Sequence, residues 1–200
     1  MNAGQVTNAD GGLPLVVELT PPPDPEAVFH ALAARPHCLF LDSALRHETL
    51  GRYSFIAVDP FDYTELSVDE ILLPPTDAPQ VDVYAHLSHL IGRFSAEAVA
   101  GLPPFQGGVA GVWGYELGRG LERLPAAPFD EFKIPAAAVG CYDVVVAWDH
   151  HTQKAWIISQ GFPETEPLAR RERAGARLAQ MQSWLAGGGD GPSRAASPNR

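Results

Sequence analysis

Val139-Gly140-Cys141-Tyr142-Asp143-Val144-Val145-Val146-Ala147-Trp148-Asp149, then His150-His151-Thr152-Gln153, then Lys154-Ala155-Trp156-Ile157-Ile158-Ser159-Gln160: two runs dense in valine, isoleucine and aromatic residues flank a short polar interruption. β-Branched and aromatic side chains suit the pleated surface of a sheet, and a polar break of this length closes a hairpin. The stretch predicts strand, turn and strand, with His150 and His151 in a solvent-facing turn. Adjacent side chains rarely converge on one metal and no Cys or His partners cluster nearby, so the pair is read as turn residues rather than ligands.

Upstream, Leu13-Pro14-Leu15-Val16-Val17-Glu18-Leu19-Thr20 reads as a strand stopped by Pro21-Pro22-Pro23, whose locked φ angles and missing N–H donors end any ladder. Asp24 before Pro25 is an N-cap followed by proline at the first helical position. Val28, Phe29 and Leu32 supply the apolar stripe of a short helix closed by Arg35-Pro36. Cys38-Leu39-Phe40-Leu41-Asp42 predicts a buried strand ending at Asp42-Ser43. Residues 52–59 predict another, terminated by Pro60.

Val83, Leu87, Leu90, Ile91 and Phe94 share one face of a helix within 80–98. His86 and His89 lie on it without a third ligand at a metal spacing. A last helix over 164–186 sets Ala174, Leu178, Met181 and Leu185 on one side. Arg170, Arg171, Glu172 and Arg173 are expected on its solvated face. The fold class expected is therefore α+β: antiparallel β-sheets with a few packed helices near 25–35, 82–98 and 165–186. One domain over 13–186 lies between a flexible start, 1–12, and a disordered tail, 187–200, too poor in apolar residues to offset the entropy of ordering.

Composition narrows the function. Of 200 residues, 46% are apolar and 19% charged, which excludes wholesale disorder, and no apolar run is long enough to span a membrane. A formal charge of −10 offers no basic field for nucleic acid. Cys38 and Cys141, the only two cysteines, fit neither a zinc pattern nor a disulfide scaffold and are expected as buried free thiols. The opening residues lack the basic start and apolar stretch of a secretory signal, so a cytoplasmic protein is expected.

Gly107-Gly108-Val109-Ala110-Gly111-Val112-Trp113-Gly114-Tyr115-Glu116-Leu117-Gly118-Arg119-Gly120 is rich in glycine but ends in no Gly-Lys-Ser/Thr and contains no G-x-G-x-x-G opening a helix. Its glycines are read instead as places where a strand bends or another backbone comes close. Nor does the chain hold a G-x-S-x-G elbow, an H-E-x-x-H helix or a spaced cysteine set. Residue pattern alone supports a soluble α+β domain with a possible small-ligand site.

A resemblance adds to this. Leu102-Pro103-Pro104-Phe105-Gln106-Gly107-Gly108, continuing through Gly114-Tyr115-Glu116-Leu117-Gly118-Arg119 to Glu122-Arg123-Leu124-Pro125, resembles a segment of the large subunits of aminodeoxychorismate synthases. Ala138-Val139-Gly140-Cys141-Tyr142-Asp143 with Asp149-His150, and Phe40-Leu41-Asp42-Ser43 with Gly51-Arg52-Tyr53-Ser54-Phe55 and Asp59-Pro60, are similar to the same family in the same order. The likeness runs from about residue 13 to 161. Anthranilate synthase large subunits share this amino-terminal architecture and are the second reading.

The resemblance implies the amino-terminal, non-catalytic part of a protein that, with a glutamine amidotransferase subunit, makes 4-amino-4-deoxychorismate from chorismate for 4-aminobenzoate and folate. The chorismate-binding domain, its active-site lysine and its Mg²⁺-holding carboxylates would lie on polypeptide not present here. No catalytic residue, no metal ligand and no cofactor is therefore assigned to this chain; Mg²⁺ is expected in the complete enzyme. The resemblance also implies a tryptophan-type pocket, with Ser43, Arg52, Tyr53 and Ser54 at the matching positions. Its alternatives are a regulatory tryptophan-binding domain of an anthranilate synthase and a stand-alone amino-acid-binding or interaction module.

Overall fold

The computed structural model describes residues 2–6, 12–43, 45, 47, 49–71, 83–120, 122, 125, 129 and 131–187. In chain order the elements are strands β1 (Asn2–Val6) and β2 (Leu15–Thr20), helix α1 (Pro25–Leu32), strands β3 (Leu39–Leu41), β4 (Tyr53–Ala57) and β5 (Asp62–Leu66), and helices α2 (Val68–Ile71) and α3 (Val83–Arg93). Strand β6 (Gly108–Trp113) follows, then a 3-10 turn (Tyr115–Gly120), strands β7 (Ala137–Tyr142), β8 (Val144–Asp149) and β9 (Lys154–Ser159), and helix α4 (Pro167–Leu185). Two antiparallel sheets result: six strands in the order β1-β2-β9-β8-β4-β3, and three in the order β5-β7-β6. The α+β class expected from the sequence is the class observed.

Period-two alternation explains the layering. Ile56, Val144, Val146, Trp148 and Ile157 point to one face of the large sheet, where Val28 and Leu32 of α1 and Met181 of α4 cover them. Ala57, Val145, Ala147, Trp156 and Ile158 point to the other, against Ala110 of β6 and Tyr142 of β7. β8 and β9 are thus covered on both faces, which is why their sequence is almost continuously apolar. Leu66, Val139, Ala137, Ile71 and Leu117 form a third cluster under the small sheet.

The 150–153 hairpin joins β8 and β9 where the sequence placed it. The 139–149 run, however, is two strands. β7 ends at Tyr142 in the small sheet and β8 begins at Val144 in the large one, so Asp143 is the crossover between sheets. Composition cannot reveal this, because both halves are equally β-rich. β3 forms in the expected place but as the outermost strand; its residues are half-buried or exposed rather than buried. Residues 2–6, expected to be flexible, pair with β2 as the opposite edge strand. β5 went unread because Asp62-Tyr63-Thr64-Glu65-Leu66 is too polar to stand out. Residues 188–200 of the expected tail and 7–11 of the expected flexible start lie outside the described residues.

Asp24 caps α1 as read, accepting the Ala27 N–H at 2.9 Å, and the helix stops at Leu32, earlier than Arg35-Pro36. On α4, Ala174 and Met181 are fully buried with Leu178 and Leu185 against the same core. Arg171 and Glu172 are exposed as expected, but Arg170, Arg173 and Arg177 are not part of a solvated face. Arg170 donates to the Gln160 carbonyl at 2.8 Å and stacks 3.8 Å from the Phe162 ring centroid, and Arg173 donates to the Phe162 carbonyl at 2.6 Å. Arg177 is 7% exposed and reaches Asp143 and Asp59. Both cysteines are free thiols, Cys141 buried and Cys38 half-buried, and burial pushes the Cys141 thiol up to about 11. Among the described residues no helix is long and apolar enough to cross a membrane.

Candidate functional site

The expected site residues cluster where β3 ends and β4 begins. The β3–β4 ladder runs from Leu39↔Ala57 to Leu41↔Phe55, so Asp42 and Ser43 leave the edge strand just beside Ser54 and Tyr53. The connection returns through Gly51 at φ 76°. A Cβ there would come within 1.9 Å of the Leu45 carbonyl oxygen, so the tight re-entry requires glycine.

Alternation then divides the expected group. Ser54 points to the helix-covered face, together with Ile56 and, across the β4–β8 pair, Trp148. Tyr53 points the other way with Phe55; their rings lie 6.2 Å apart, and Phe55 meets Phe105 edge-on at 5.7 Å. The structure brings Arg52 and Tyr53 together, with the guanidinium 5.0 Å from the ring centroid, but sets Tyr53 and Ser54 on opposite sides of one strand.

Arg52 is already engaged. Its Nε donates to Asp149 Oδ1 at 3.0 Å and an Nη donates to Oδ2 at 2.6 Å, a bidentate clamp between the start of β4 and the end of β8. The guanidinium is the main reason the Asp149 carboxyl is held down to about 2; N–H groups of the following turn add to it. The Arg52 side chain itself is shifted up by the same bond. A clamp so neutralised ties strands together and is a poor anchor for a further carboxylate.

Three residues that the sequence reading left out of the site complete it. The Ser54 hydroxyl, fully buried, donates to Asp42 Oδ1 and lies 2.6 Å from His150 Nε2. A buried hydroxyl needs such partners, because leaving it unbonded costs about 1–3 kcal/mol. His150 is therefore turned inward, which corrects its reading as a solvent-facing turn residue; His151 is exposed as expected. The arrangement is not that of a catalytic triad. The carboxylate binds the hydroxyl instead of orienting the imidazole, and the serine oxygen has no exposure to a substrate. No sequence signal joins Asp42, Ser54, Asp149 and His150. They meet only because β4 pairs with both β3 and β8.

Around this cluster, Trp148, Asp149 and His150 also border an open cleft of about 300 Å³ against Pro23 and Asp24, and the indole N–H of Trp148 donates to the Pro23 carbonyl at 2.8 Å. The glycine-rich segment lies elsewhere: β6 pairs along β7, and a Cβ on Gly111 would come 2.1 Å from the Ala138 carbonyl oxygen. That is the close backbone approach its glycines were read to allow. It leaves Val112, Trp113 and Tyr115 exposed, Tyr115 at 87%.

No family model matches the chain. Curated proteins do. "Anthranilate synthase component 1" of Acetivibrio thermocellus is 30% identical over 138 residues, covering 67% of this chain and 28% of that protein. "Aminodeoxychorismate synthase component 1" of Klebsiella aerogenes is 27% identical over 205 residues, covering 88% of this chain and 45% of that protein. Among solved structures, anthranilate synthase component I from Streptococcus pneumoniae aligns with a TM-score of 0.46 and 19% identity over 70% of this chain and 32% of that one. The chain thus spans less than half the length of these curated relatives. Over most of its own residues it is a relative of component 1 of the aminodeoxychorismate and anthranilate synthases.

Proposed function

We propose that this chain is the amino-terminal, non-catalytic part of an aminodeoxychorismate synthase component 1, which with a glutamine amidotransferase subunit converts chorismate to 4-amino-4-deoxychorismate. The carrying observation is the alignment of 88% of this chain with under half of the Klebsiella aerogenes protein. The exposed Trp113, Tyr115, Phe132 and Ile134 support it, as apolar surface on which a chorismate-binding domain can dock. In this reading Mg²⁺ belongs to that other domain. Among the described residues no three His, Cys, Asp or Glu side chains converge to hold a metal.

The same reading includes a tryptophan-type pocket near the end of β3. Tyr53, Phe55 and Phe105 would supply an aromatic wall on one side of β4, while Ser43 and Ser54 would supply hydroxyls near its start. Arg52 shapes the pocket through its clamp and its stacking on Tyr53.

The anthranilate synthase reading is kept because the Acetivibrio thermocellus relative is slightly more identical, although over a shorter span. One reconstitution tests both. The purified chain with chorismate, Mg²⁺ and ammonium should yield no product. Addition of the separately expressed carboxy-terminal half of an aminodeoxychorismate synthase component 1 should give 4-amino-4-deoxychorismate. Product from the chain alone overturns the non-catalytic assignment, and anthranilate from the mixture with an anthranilate synthase half alone selects the second reading.

A further inference from the structure

The two sheets end in β1, β3, β5 and β6. An edge strand offers unpaired N–H and C=O groups to any chain that can approach it, and proteins blunt such edges by keeping them short or by placing charge on them. β3 is three residues long and β5 carries Asp62 and Glu65, while β1 mixes Asn2 and Gln5 among its apolar positions. β6 has none of these protections. Gly108-Val109-Ala110-Gly111-Val112-Trp113 is six residues of glycine and apolar side chains without proline, inside a run, 98–115, that contains no Asp, Glu, Lys, Arg or His.

The ladder shows which of its backbone groups face outward. The Gly114 N–H donates to the Ala136 carbonyl at 2.9 Å, so the alternate antiparallel pairs Val112–Ala138 and Ala110–Gly140 are the bonded ones. Val109, Gly111 and Trp113 therefore direct their N–H and C=O groups away from β7. Among the described residues these groups meet no partner. α3 packs beside β6 without sealing it, since Gly108, Val112 and Trp113 stay exposed.

We propose that β6 is a self-association edge, on which a second copy of this chain pairs antiparallel about a two-fold axis at Gly111. In that register Gly111 faces Gly111 of the second copy and Val109 faces its Trp113, each pair exchanging both backbone bonds. The sequence of the edge suits a copy of itself. A β-branched side chain meets an indole on either side of the axis, and the axis, where the backbones come together, carries no Cβ. On the other face Ala110 meets Val112 of the second copy. Charge points the same way: copies of a chain at −10 repel one another, and the repulsion is least along this neutral run, whose next charges, Glu116 and Arg119, neutralise each other. The pairing is isologous, so it closes at two copies and joins two three-stranded sheets into one. It does not rest on the function proposed above; a chorismate-binding domain docked on the same surface would compete for the edge.

Sedimentation of the 200-residue chain over a concentration series reaching the millimolar range should show monomer and dimer and nothing larger. Amide exchange read residue by residue identifies the surface. Ala110 and Val112, bonded to β7, should be protected at every concentration, whereas Val109, Gly111 and Trp113 should gain protection only as dimer forms. Val112→Lys keeps the inward bonds while placing like charges near the axis, and should weaken association by about tenfold or more. Exchange is measured on the wild-type chain, so it decides the matter even if Val112→Lys fails to fold. A chain that stays monomeric throughout, species that grow without limit, a dimer whose Val109, Gly111 and Trp113 amides exchange as in the monomer, or a folded Val112→Lys that dimerises as tightly as wild type overturns the proposal.

Discussion

Arg177→Met isolates the interaction that fastens α4 to the sheets. Arg177 Nε donates to Asp143 Oδ1 at 3.0 Å, and its two Nη groups reach Asp59 Oδ2 at 2.6 Å, the Asp59 carbonyl at 2.7 Å and Gln180 at 2.6 Å. Asp143 has no solvent exposure, and its other oxygen has only Arg173, 3.4 Å away and partly exposed. Methionine preserves most of the aliphatic stem that packs in the core, so the change removes charge and hydrogen bonds more than volume. Breaking a buried ion pair by deleting one partner costs about 3–5 kcal/mol, and the surviving Arg173 places this case at the lower end, about 3 kcal/mol. For a chain of this size that lowers Tm by roughly 6–12 °C.

Burial lifts the Asp143 carboxyl above its ordinary range, while Arg177 and then Arg173 pull it back. A carboxyl raised on folding binds protons more readily in the native state. Its ionisation therefore costs stability as pH rises through the folded value, and losing Arg177 enlarges that cost. The deficit of Arg177→Met relative to wild type should accordingly shrink between pH 7 and pH 5. Urea unfolding followed by tryptophan fluorescence at both pH values measures it. The double variant Asp143→Asn/Arg177→Met should recover part of the loss, since it no longer buries a lone charge. A single variant within about 1 kcal/mol of wild type, or a deficit that widens at pH 5, refutes the reasoning.

The Arg52–Asp149 clamp predicts acid behaviour of the opposite sign. Because Asp149 is held to about 2, well below its unfolded range near about 4, its stabilisation is present above that range and lost as pH falls through 2; Asp149→Asn should flatten this acid limb in a pH series of thermal melts. Gly111→Ala should destabilise the small sheet by about 2 kcal/mol or more, because its methyl meets the Ala138 carbonyl oxygen and the Val139 Cα, backbone that cannot yield without breaking the β6–β7 ladder. Hydrogen exchange should show the loss concentrated in β5, β6 and β7; uniform exchange across both sheets would speak against it. Trp148→Phe keeps the aromatic core but strips the donor from the Pro23 carbonyl, and chemical unfolding should register a loss of about 1 kcal/mol.

How much was legible follows from which interactions are local. Asp24 and Pro25 announced the start of α1 because a cap and a proline act within one turn. The apolar stripe of α4 and the polar break at 150–153 are likewise properties of neighbouring residues. Arg171 faces solvent as its charge suggests, but Arg170, Arg173 and Arg177 misled because charge alone reads as solvent-facing. Arg177 is buried only because the sheets bring Asp143 and Asp59 within its reach from 34 and 118 residues away.

The candidate site shows the same division. The wording of Phe40-Leu41-Asp42-Ser43 and Arg52-Tyr53-Ser54 located the corner of the molecule, and the long glycine-rich segment pointed to the family. What each side chain does there depends on strand alternation and pairing. Alternation turns Tyr53 and Ser54 to opposite faces, the β4–β8 pairing commits Arg52 to Asp149, and the hairpin register delivers His150 to Ser54. Most of the elements, the antiparallel hairpin and the resemblance are legible in the residues alone, because they rest on preferences within a few positions; β1, β5 and the break between β7 and β8 are not. Only the tertiary structure decided which side chains meet, because contacts spanning about a hundred residues are fixed by the order and register of strands, and neither is written in any local pattern.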